Sequence, residues 1–381
     1  MRFPEFDGEY EEKKLGEVCE INPQNRNIPD SFIYIDLESV VNGVLLKEDE
    51  ISKNEAPSRA QRFLKNKDIL FQMVRPYQKN NLFFDRVGDY VASTGYAQIR
   101  TKQNSQFIFQ YLHNQKFVNN VIEKCTGTSY PAINSTDLSN INIFIPLIPE
   151  QNKISEILSL LDKRIEVSSK IIKNLQSLIK GICQSLMNNE EKIGWQKLYL
   201  REILTEREEA NYEKYPIHSV SVSKGVINQI EYLGRSFAAK DTSNYNVVYF
   251  GDIVYTKSPT GDFPYGIIKQ SFIEENVAVS PLYGVYTPQN IAIGNILHYY
   301  FSNPINTNNY LHSLIQKGAK NTINITNQHF LDKKIFLPIE NNKIQLIATL
   351  LNTVSRKIEI ETEIYQKFIE QKKYLLANMF I

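Results

Sequence analysis

Seam positions recur in an unbroken 4-3-4-3 spacing after Pro149, all apolar but Ser168: Ile154, Leu158, Leu161, Ile165, Ser168, Ile172, Leu175, Ile179, Ile182 and Leu186. That is the a/d seam of a coiled coil. No proline falls between Pro149 and Pro216, and Gly181 is the only glycine inside the run. Glu150 and Gln151 occupy the expected first turn, where an acid suits the helix dipole, and Asn188 and Asn189 mark the expected end. A second run follows the same rule: Ile344, Ile347, Leu351, Val354, Ile358, Glu361, Tyr365, Phe368, Lys372, Leu375 and Met379. Its polar seam positions, Glu361 and Lys372, cost stability but can fix register, and their opposite signs point to partners. One amphipathic helix of this length exposes its stripe, so the simplest expectation is that the two pack antiparallel on each other. The span from Ile154 to Leu186 makes a rod of about 50 Å at 1.5 Å per residue, longer than one turn of DNA at roughly 34–36 Å.

Ahead of each run the pattern is different. Short apolar segments alternate with Gly, Asn and Asp turns: Ile33 to Leu37, Ile69 to Val74, Leu82 to Phe84 and Tyr96 to Ile99, then Ile217 to Val222, Val247 to Phe250, Ile253 to Tyr255 and Leu282 to Val285. Phe107 to Glu123 and Asn295 to Ile315 read as more helical.

The two halves also echo one another. Lys14-Leu15-Gly16-Glu17-Val18 recurs as Tyr199-Leu200-Arg201-Glu202-Ile203, with Tyr10 and Trp195 at the same distance ahead. Asp68-Ile69-Leu70 returns as Asp252-Ile253-Val254, Gly127 as Gly318, Ile143-Phe144-Ile145-Pro146 as Ile335-Phe336-Leu337-Pro338, and Lys153-Ile154 as Lys343-Ile344. The offset drifts only from 184 (Asp68 to Asp252) to 192 (Pro146 to Pro338). A period this long signals a duplicated domain with its connector. The expected architecture is α/β: two similar domains with mixed, strand-rich cores (1–149 and 189–339), separated by two long antiparallel coiled-coil helices (150–188 and 340–381).

With 381 residues and 42% hydrophobic content, the chain is long enough for two substantial cores. No apolar run approaches the roughly 18 residues of a membrane span, and Met1 to Lys14 lacks a signal-peptide core. A cytoplasmic protein without membrane contact is expected. Cys19, Cys125 and Cys183 are far apart and form no CxxC pair, so reduced, partly buried thiols are expected. Neither they nor His113, His218, His298, His312 and His329 have metal-ligand spacing. A net charge of +1 argues against non-specific coating of DNA, while leaving room for a local basic face.

The candidate for such a face lies in the first domain. Lys53, Arg59, Arg62, Lys65, Lys67, Arg75 and Lys79 are opposed only by Glu55 and Asp68, with Gln61, Gln72, Gln78, Asn80 and Asn81 among them. Arg and Gln can pair bidentately with guanine and adenine edges, and Lys mainly meets phosphate. In the second domain the candidates are sparser: Lys224, Arg235, Lys240, Lys257, Lys317 and Lys320, with Lys257-Ser258-Pro259-Thr260-Gly261 as a possible phosphate-approaching loop. A solvated charged surface is the commoner meaning of such runs. No GxxxxGK[ST] loop, dinucleotide fingerprint, HExxH or GxSxG elbow occurs. Asn22-Pro23 and Asn303-Pro304 do not continue into the Asn-Pro-Pro-aromatic tetrapeptide of amino-methyltransferases.

These residues resemble the specificity subunit of type I restriction–modification enzymes. Arg2-Phe3-Pro4-Glu5-Phe6 followed by Lys14 through Ile21 is similar to the family's entry into a first target-recognition domain. Gly127 through Ile145-Pro146-Leu147-Ile148-Pro149-Glu150-Gln151 resembles its exit signature. The helices from Ile154 and Ile344 resemble its central and C-terminal conserved regions. The second copy, Leu337-Pro338-Ile339-Glu340-Asn341-Asn342, departs by lacking the second proline and the Glu-Gln pair. The resemblance implies a non-catalytic reader of a bipartite double-stranded DNA target, with no cofactor of its own. It implies two methyltransferase subunits supplying S-adenosylmethionine, and motor–nuclease subunits using ATP and magnesium. It carries over no base-contacting residue. The other readings are a non-catalytic coiled-coil protein binding protein or glycan, which the near-neutral charge favours, and a fused nuclease or methyltransferase.

Overall fold

A computed structural model describes residues 2–24, 27–187, 193–235, 239–317 and 323–380. The chain divides into two compact units, residues 1–169 with 363–381, and residues 170–362. Each of the two long helices contributes to both.

In the first unit, Glu11–Lys14 pairs antiparallel with Asn142–Ile145, closing the domain on itself. An antiparallel sheet follows in the order Cys19–Ile21, Tyr96–Thr101, Ile69–Gln72, Leu82–Phe83. Ile69, Leu70 and Phe71 are buried on both faces, which explains their unbroken apolar run. One face meets helices Ser105–Tyr111 and Gln115–Glu123, so that Ile69, Phe71, Phe107, Ile108, Phe117 and Val121 share a core. Each helix starts on an asparagine that caps it, Asn104 and Asn114. The other face contributes to a smaller core with Ile35, Phe84, Tyr90 and Tyr96. That core belongs with a second, mixed sheet of Glu50–Ser52, Ser31–Ile35, Tyr90–Ser93 and Ala60–Phe63.

The second unit repeats the scheme. Trp195–Tyr199 pairs with Lys334–Pro338. Its four-stranded sheet runs Leu204–Glu206, Gly284–Pro288, Ile253–Thr256, Ile267–Gln270, in the same order of counterparts. Helices Ile291–Phe301 and Pro304–His312 cover it, again capped by Asn290 and Asn303. In place of the mixed sheet stand two antiparallel two-stranded ribbons, His218–Ser221 with Gly225–Asn228 and Asn246–Val248 with Val277–Val279.

The first long helix spans Ile148–Met187 and the second Asn341–Met379. Along the first, Ile154, Leu158, Leu161 and Ser168 are buried and Ile165, Ile172, Leu175, Ile179 and Ile182 half-buried, while Leu160, Val167 and Leu178 between them are exposed. Along the second, Ile344, Leu351, Val354 and Glu361 are buried, and Ile347, Ile358, Tyr365, Phe368, Lys372 and Leu375 half-buried. The side chain of Leu186 lies outside the described ones, as do Asn188 and Asn189.

Within the first unit the start of one helix lies against the end of the other. Ile154 and Leu158 share a core with Leu375, Leu376, Met379 and Phe380, and Lys372 pairs with Asp162. That core is also the domain's own, since Phe380 packs on Phe107 and Tyr111. Within the second unit, Ile179, Ile182 and Cys183 meet Ile344, Ile347, Ala348 and Leu351 in the domain core. Cys183 and Ala348 sit off the heptad seam yet are buried, because each helix packs on a domain as well as on its partner. No described helix is long and apolar enough to cross a membrane.

Candidate nucleic-acid interface

Each central strand starts on a buried aspartate that organises the turn before it. Asp68 Oδ2 accepts from the Lys65 backbone N–H and from Gln98 Nε2, both at 2.7 Å. Its two oxygens take a bidentate pair from Arg100, Nε at 2.8 Å and Nη2 at 2.7 Å. Hydrogen bonding to Asp68 raises the Arg100 pKa. In the second unit Asp252 accepts from the Tyr249 N–H at 2.9 Å, from Arg207 Nε at 2.9 Å and from Thr287 Oγ1 at 2.9 Å.

The opposite end of Ile69–Gln72 carries a loop, Met73 to Asn81, built around one buried amide. Gln72 Nε2 donates to the Val74 carbonyl at 2.7 Å and to Gln78 Oε1 at 2.9 Å, while Gln72 Oε1 accepts from Asn80 N–H at 3.2 Å. Asn81 Oδ1 accepts from Gln72 N–H at 2.9 Å. The loop is stitched to its neighbours by backbone. Met73 N–H donates to Gly95 O at 3.0 Å, Thr94 N–H to Arg59 O at 2.9 Å, and Arg75 N–H to Pro131 O at 2.8 Å. These bonds gather Arg59, Arg75, Tyr77, Gln78 and Tyr130 at one end of the first unit. Tyr77 is 49% and Tyr130 64% exposed. The Arg75 guanidinium lies over the Tyr130 ring, 4.2 Å from its centroid. Gly127 has φ +90° and a Cβ there would stand 3.1 Å from Tyr130 O, so the hairpin that presents Tyr130 requires glycine.

The seven basic positions of the first domain therefore separate. Arg59 and Arg75 belong to that loop end. Lys65 and Lys67 lie at the far end of Ile69–Gln72, in the turn held by Asp68, and Lys67 lines a groove of about 660 Å³ with Asn104, Ser159 and Lys163. Lys53 is exposed and donates to Ile28 O at 3.3 Å. Arg62 is half-buried on Ala60–Phe63, its Nε buried without a hydrogen-bond partner among the described residues, and burial lowers its pKa. Lys79 turns inward: its ammonium donates to His113 O at 3.0 Å and Gln115 Oε1 at 2.9 Å, and burial lowers its pKa. Gln72, Asn80 and Asn81 also turn inward and brace the loop. Tyr130, which no periodicity marked, is absent from the sequence candidates although Arg75 lies over its ring.

In the second unit Lys224 sits at an exposed hairpin turn beside Gly225, and Arg235 and Lys240 are exposed on the following segment. Lys257 begins the loop after Ile253–Thr256; it is half-buried, and burial lowers its pKa. That loop turns at Thr260 and Phe263, which exchange backbone bonds, and Phe263 is buried. It returns through Gly266, where a Cβ would come within 2.0 Å of Thr256 O. The Lys317 side chain and the whole of Lys320, with Gly318, lie outside the described residues.

The start of the first long helix is latched to the first domain. Glu150 is buried and takes a bidentate pair from Arg2, Nε at 2.9 Å and Nη2 at 2.7 Å, and a bond from Tyr10 Oη at 3.0 Å. Gln151 Oε1 accepts from Asn104 N–H at 3.1 Å, and its Nε2 donates to Pro146 O at 2.8 Å and Gln103 Oε1 at 2.9 Å.

Comparison with known proteins bears on this geometry. Residues 7–177 match the family model described as the type I restriction modification DNA specificity domain. The HindI type I restriction enzyme specificity subunit of Haemophilus influenzae is 26% identical over 192 residues, 46% of this chain. The match spans only 40% of that relative's length. Among solved structures, the S subunit of a type I restriction–modification system from M. genitalium aligns over 100% of this chain and 99% of its own, with TM-score 0.64 and 12% identity. A chain solved in work on complex assembly and conformational transition of the type I R-M system covers 97% of both, with TM-score 0.52 and 18% identity. Residues 7–177 thus match the type I restriction modification DNA specificity domain, and along its whole length the chain has the fold of a solved S subunit.

Proposed function

We propose that the chain is the DNA-reading subunit of a type I restriction–modification complex, each unit reading one half of a bipartite double-stranded target. The observation that carries this reading is the pair of sheets with one strand order whose central strands end in unlike loops, Met73 to Asn81 and Lys257 to Gly266. A common scaffold with divergent loops is what two readers of different sequences need.

In this reading the chain is not itself a catalyst and binds no cofactor. Two methyltransferase subunits sit on the long helices and bring S-adenosylmethionine; motor–nuclease subunits bring ATP and magnesium; all work in the cytoplasm. The helices set the unspecified spacer between half-sites. Seven residues inserted in the first long helix then alter that spacer and leave both half-sites intact.

The test is adenine-methylation sequencing of a host with and without this gene, together with the chain purified alone and with its methyltransferase. The expected result is one bipartite mark that vanishes on deletion, and no methylation or cleavage by the chain alone. An unchanged methylome overturns the reading. Binding that ignores salt favours the protein- or glycan-binding alternative, since phosphate contacts weaken steeply as salt rises.

A further inference from the structure

We infer that Arg75 is the guanine-reading residue of the first unit, held ready by stacking on Tyr130; the inference rests on the DNA-reading proposal above. Four observations converge on it.

The backbone comes first. Arg75 has φ 55° and ψ 55°, and Lys79 at the other end of the short 3-10 turn Pro76–Gln78 has φ 53° and ψ 31°. Left-handed backbone costs a residue with a Cβ about 1 kcal/mol or more, and such strain persists only where the surroundings impose it. Here Gln72, Asn80 and Asn81 impose it from within, and the inward bond of Lys79 pins the far end. The loop is thus rigid rather than adaptable.

The side chain comes next. Among the described residues, the Arg75 guanidinium faces no carboxylate and its one recorded partner is the Tyr130 ring. A stacked guanidinium keeps its in-plane N–H donors free, and the ring fixes its plane. A planar fork of free donors on a loop beside exposed Tyr77 and Gln78 matches O6 and N7 of guanine in the major groove.

Position supplies the third point. Half-buried Arg75 lies with exposed Tyr77 and Tyr130 at the end of the unit where Arg59 is also exposed, with no side-chain partner among the described residues. Arg59 then has the placement of a phosphate contact beside a base contact.

The duplicate supplies the fourth. The strand residues Ile69–Gln72 and Ile253–Thr256 correspond, so the place of Arg75 falls on Pro259 in the second unit. Proline has no donor to offer a base. The inference therefore assigns the guanine to one half-site only.

The experiment uses the full chain assembled with its methyltransferase, acting on a randomised plasmid library read by methylation sequencing. For Arg75→Ala, methylation of the wild-type target falls by about 10-fold or more, and one guanine position in a single half-site becomes degenerate. Arg75→Lys restores rate in part without restoring the guanine preference, because a point charge cannot make the bidentate pair. Tyr130→Ala degrades the same position more weakly. Arg59→Ala slows methylation at all targets without altering the consensus. A consensus that stays unchanged in Arg75→Ala, at full or uniformly reduced rate, overturns the inference while leaving the DNA-reading proposal standing. Degeneracy in both half-sites also overturns it. A wild-type complex that methylates no bipartite site overturns the parent proposal, and this inference with it.

Discussion

The two units solve one folding problem with the same sheet and different attachments, and the differences separate what the scaffold needs from what each unit varies. Both central strands begin on a buried aspartate holding an arginine. In the first unit Arg100 comes from the neighbouring strand Tyr96–Thr101. In the second, the equivalent strand position is Thr287, which donates its hydroxyl to Asp252, and the arginine arrives from beyond Leu204–Glu206 as Arg207. The requirement kept is a buried, fully bonded carboxylate under the preceding turn; the source of the cation is free. Removing that carboxylate is the strongest test of this common logic. Asp68→Ala and Asp252→Ala each strand a partly buried guanidinium and open a turn, at roughly 3–5 kcal/mol. Denaturant unfolding checks it, and a loss under ~1 kcal/mol at either site breaks the equivalence.

A second shared feature is a neutral histidine in each helical layer. Burial, and secondarily Lys372, lowers the His113 pKa to about 4. Burial, and secondarily Lys269, lowers that of His298 to about 3. The unfolded chain takes up these protons near pH 6.5 while the folded chain resists, so stability is complete above that pH and declines as pH falls towards 4. At pH 5 each site contributes about 2 kcal/mol of loss. Both units therefore weaken together on acidification. His113→Gln and His298→Gln each flatten the slope between pH 6.5 and 5, measured by chemical denaturation; a slope untouched by both rules out these groups as its source.

The sharpest structural contrast is at the helix starts. Glu150 and Gln151 are buried latches in the first unit, whereas Ile339, Glu340, Asn341 and Asn342 are exposed in the second. Among the described residues Glu340 has only Lys343, three residues on in the same segment, as a salt-bridge partner. Glu150→Ala removes a charged acceptor from Arg2 and Tyr10 and costs about 2 kcal/mol, while Glu340→Ala stays within about 0.5 kcal/mol. Equal losses in thermal unfolding show that the second helix start has a hold of its own.

This contrast also marks how far the sequence was readable. The long helices were legible because their seams repeat every seven residues, and local periodicity is what a one-dimensional pattern can carry. The missing Glu-Gln pair of the second copy was legible as a departure, and it coincides with the missing latch. Most strand segments of the two sheets were legible from short apolar runs. Others were not: Tyr90–Ser93 and Ile267–Gln270 carry buried polar residues, Ser93, Lys269 and Gln270, which break the apolar run. The pairing of Glu11–Lys14 with Asn142–Ile145 is set by tertiary closure, which no local window contains. At the candidate interface, charge marked a stretch of chain but not the direction of each side chain. Lys79 and Arg75 are four residues apart in one loop, and only the backbone conformation decides that one turns inward and the other lies on Tyr130.

The smallest test concerns the two polar seam positions, which the units use differently. In the first unit Lys372 reaches across to Asp162 on the other helix, and Asp162 also accepts from Gln110 Nε2 at 2.7 Å. In the second, Glu361 pairs along its own helix with Lys357, four residues back, at 2.8 Å. A pair between helices restrains how they meet, whereas a pair along one helix adds only helix propensity. The cross-helix pair is partly exposed, so Lys372→Ala costs about 0.5–1 kcal/mol, and the Lys357→Ala change about 0.3–0.5 kcal/mol. Asp162→Ala exceeds both, since it also strands the amide of Gln110. A double-mutant cycle on Asp162 and Lys372, run at low salt and again near 1 M, isolates the coupling. If the coupling is zero at low salt, or no larger than that of Lys357 with Glu361, then the apolar seam alone orders the helices and the charged positions are passengers.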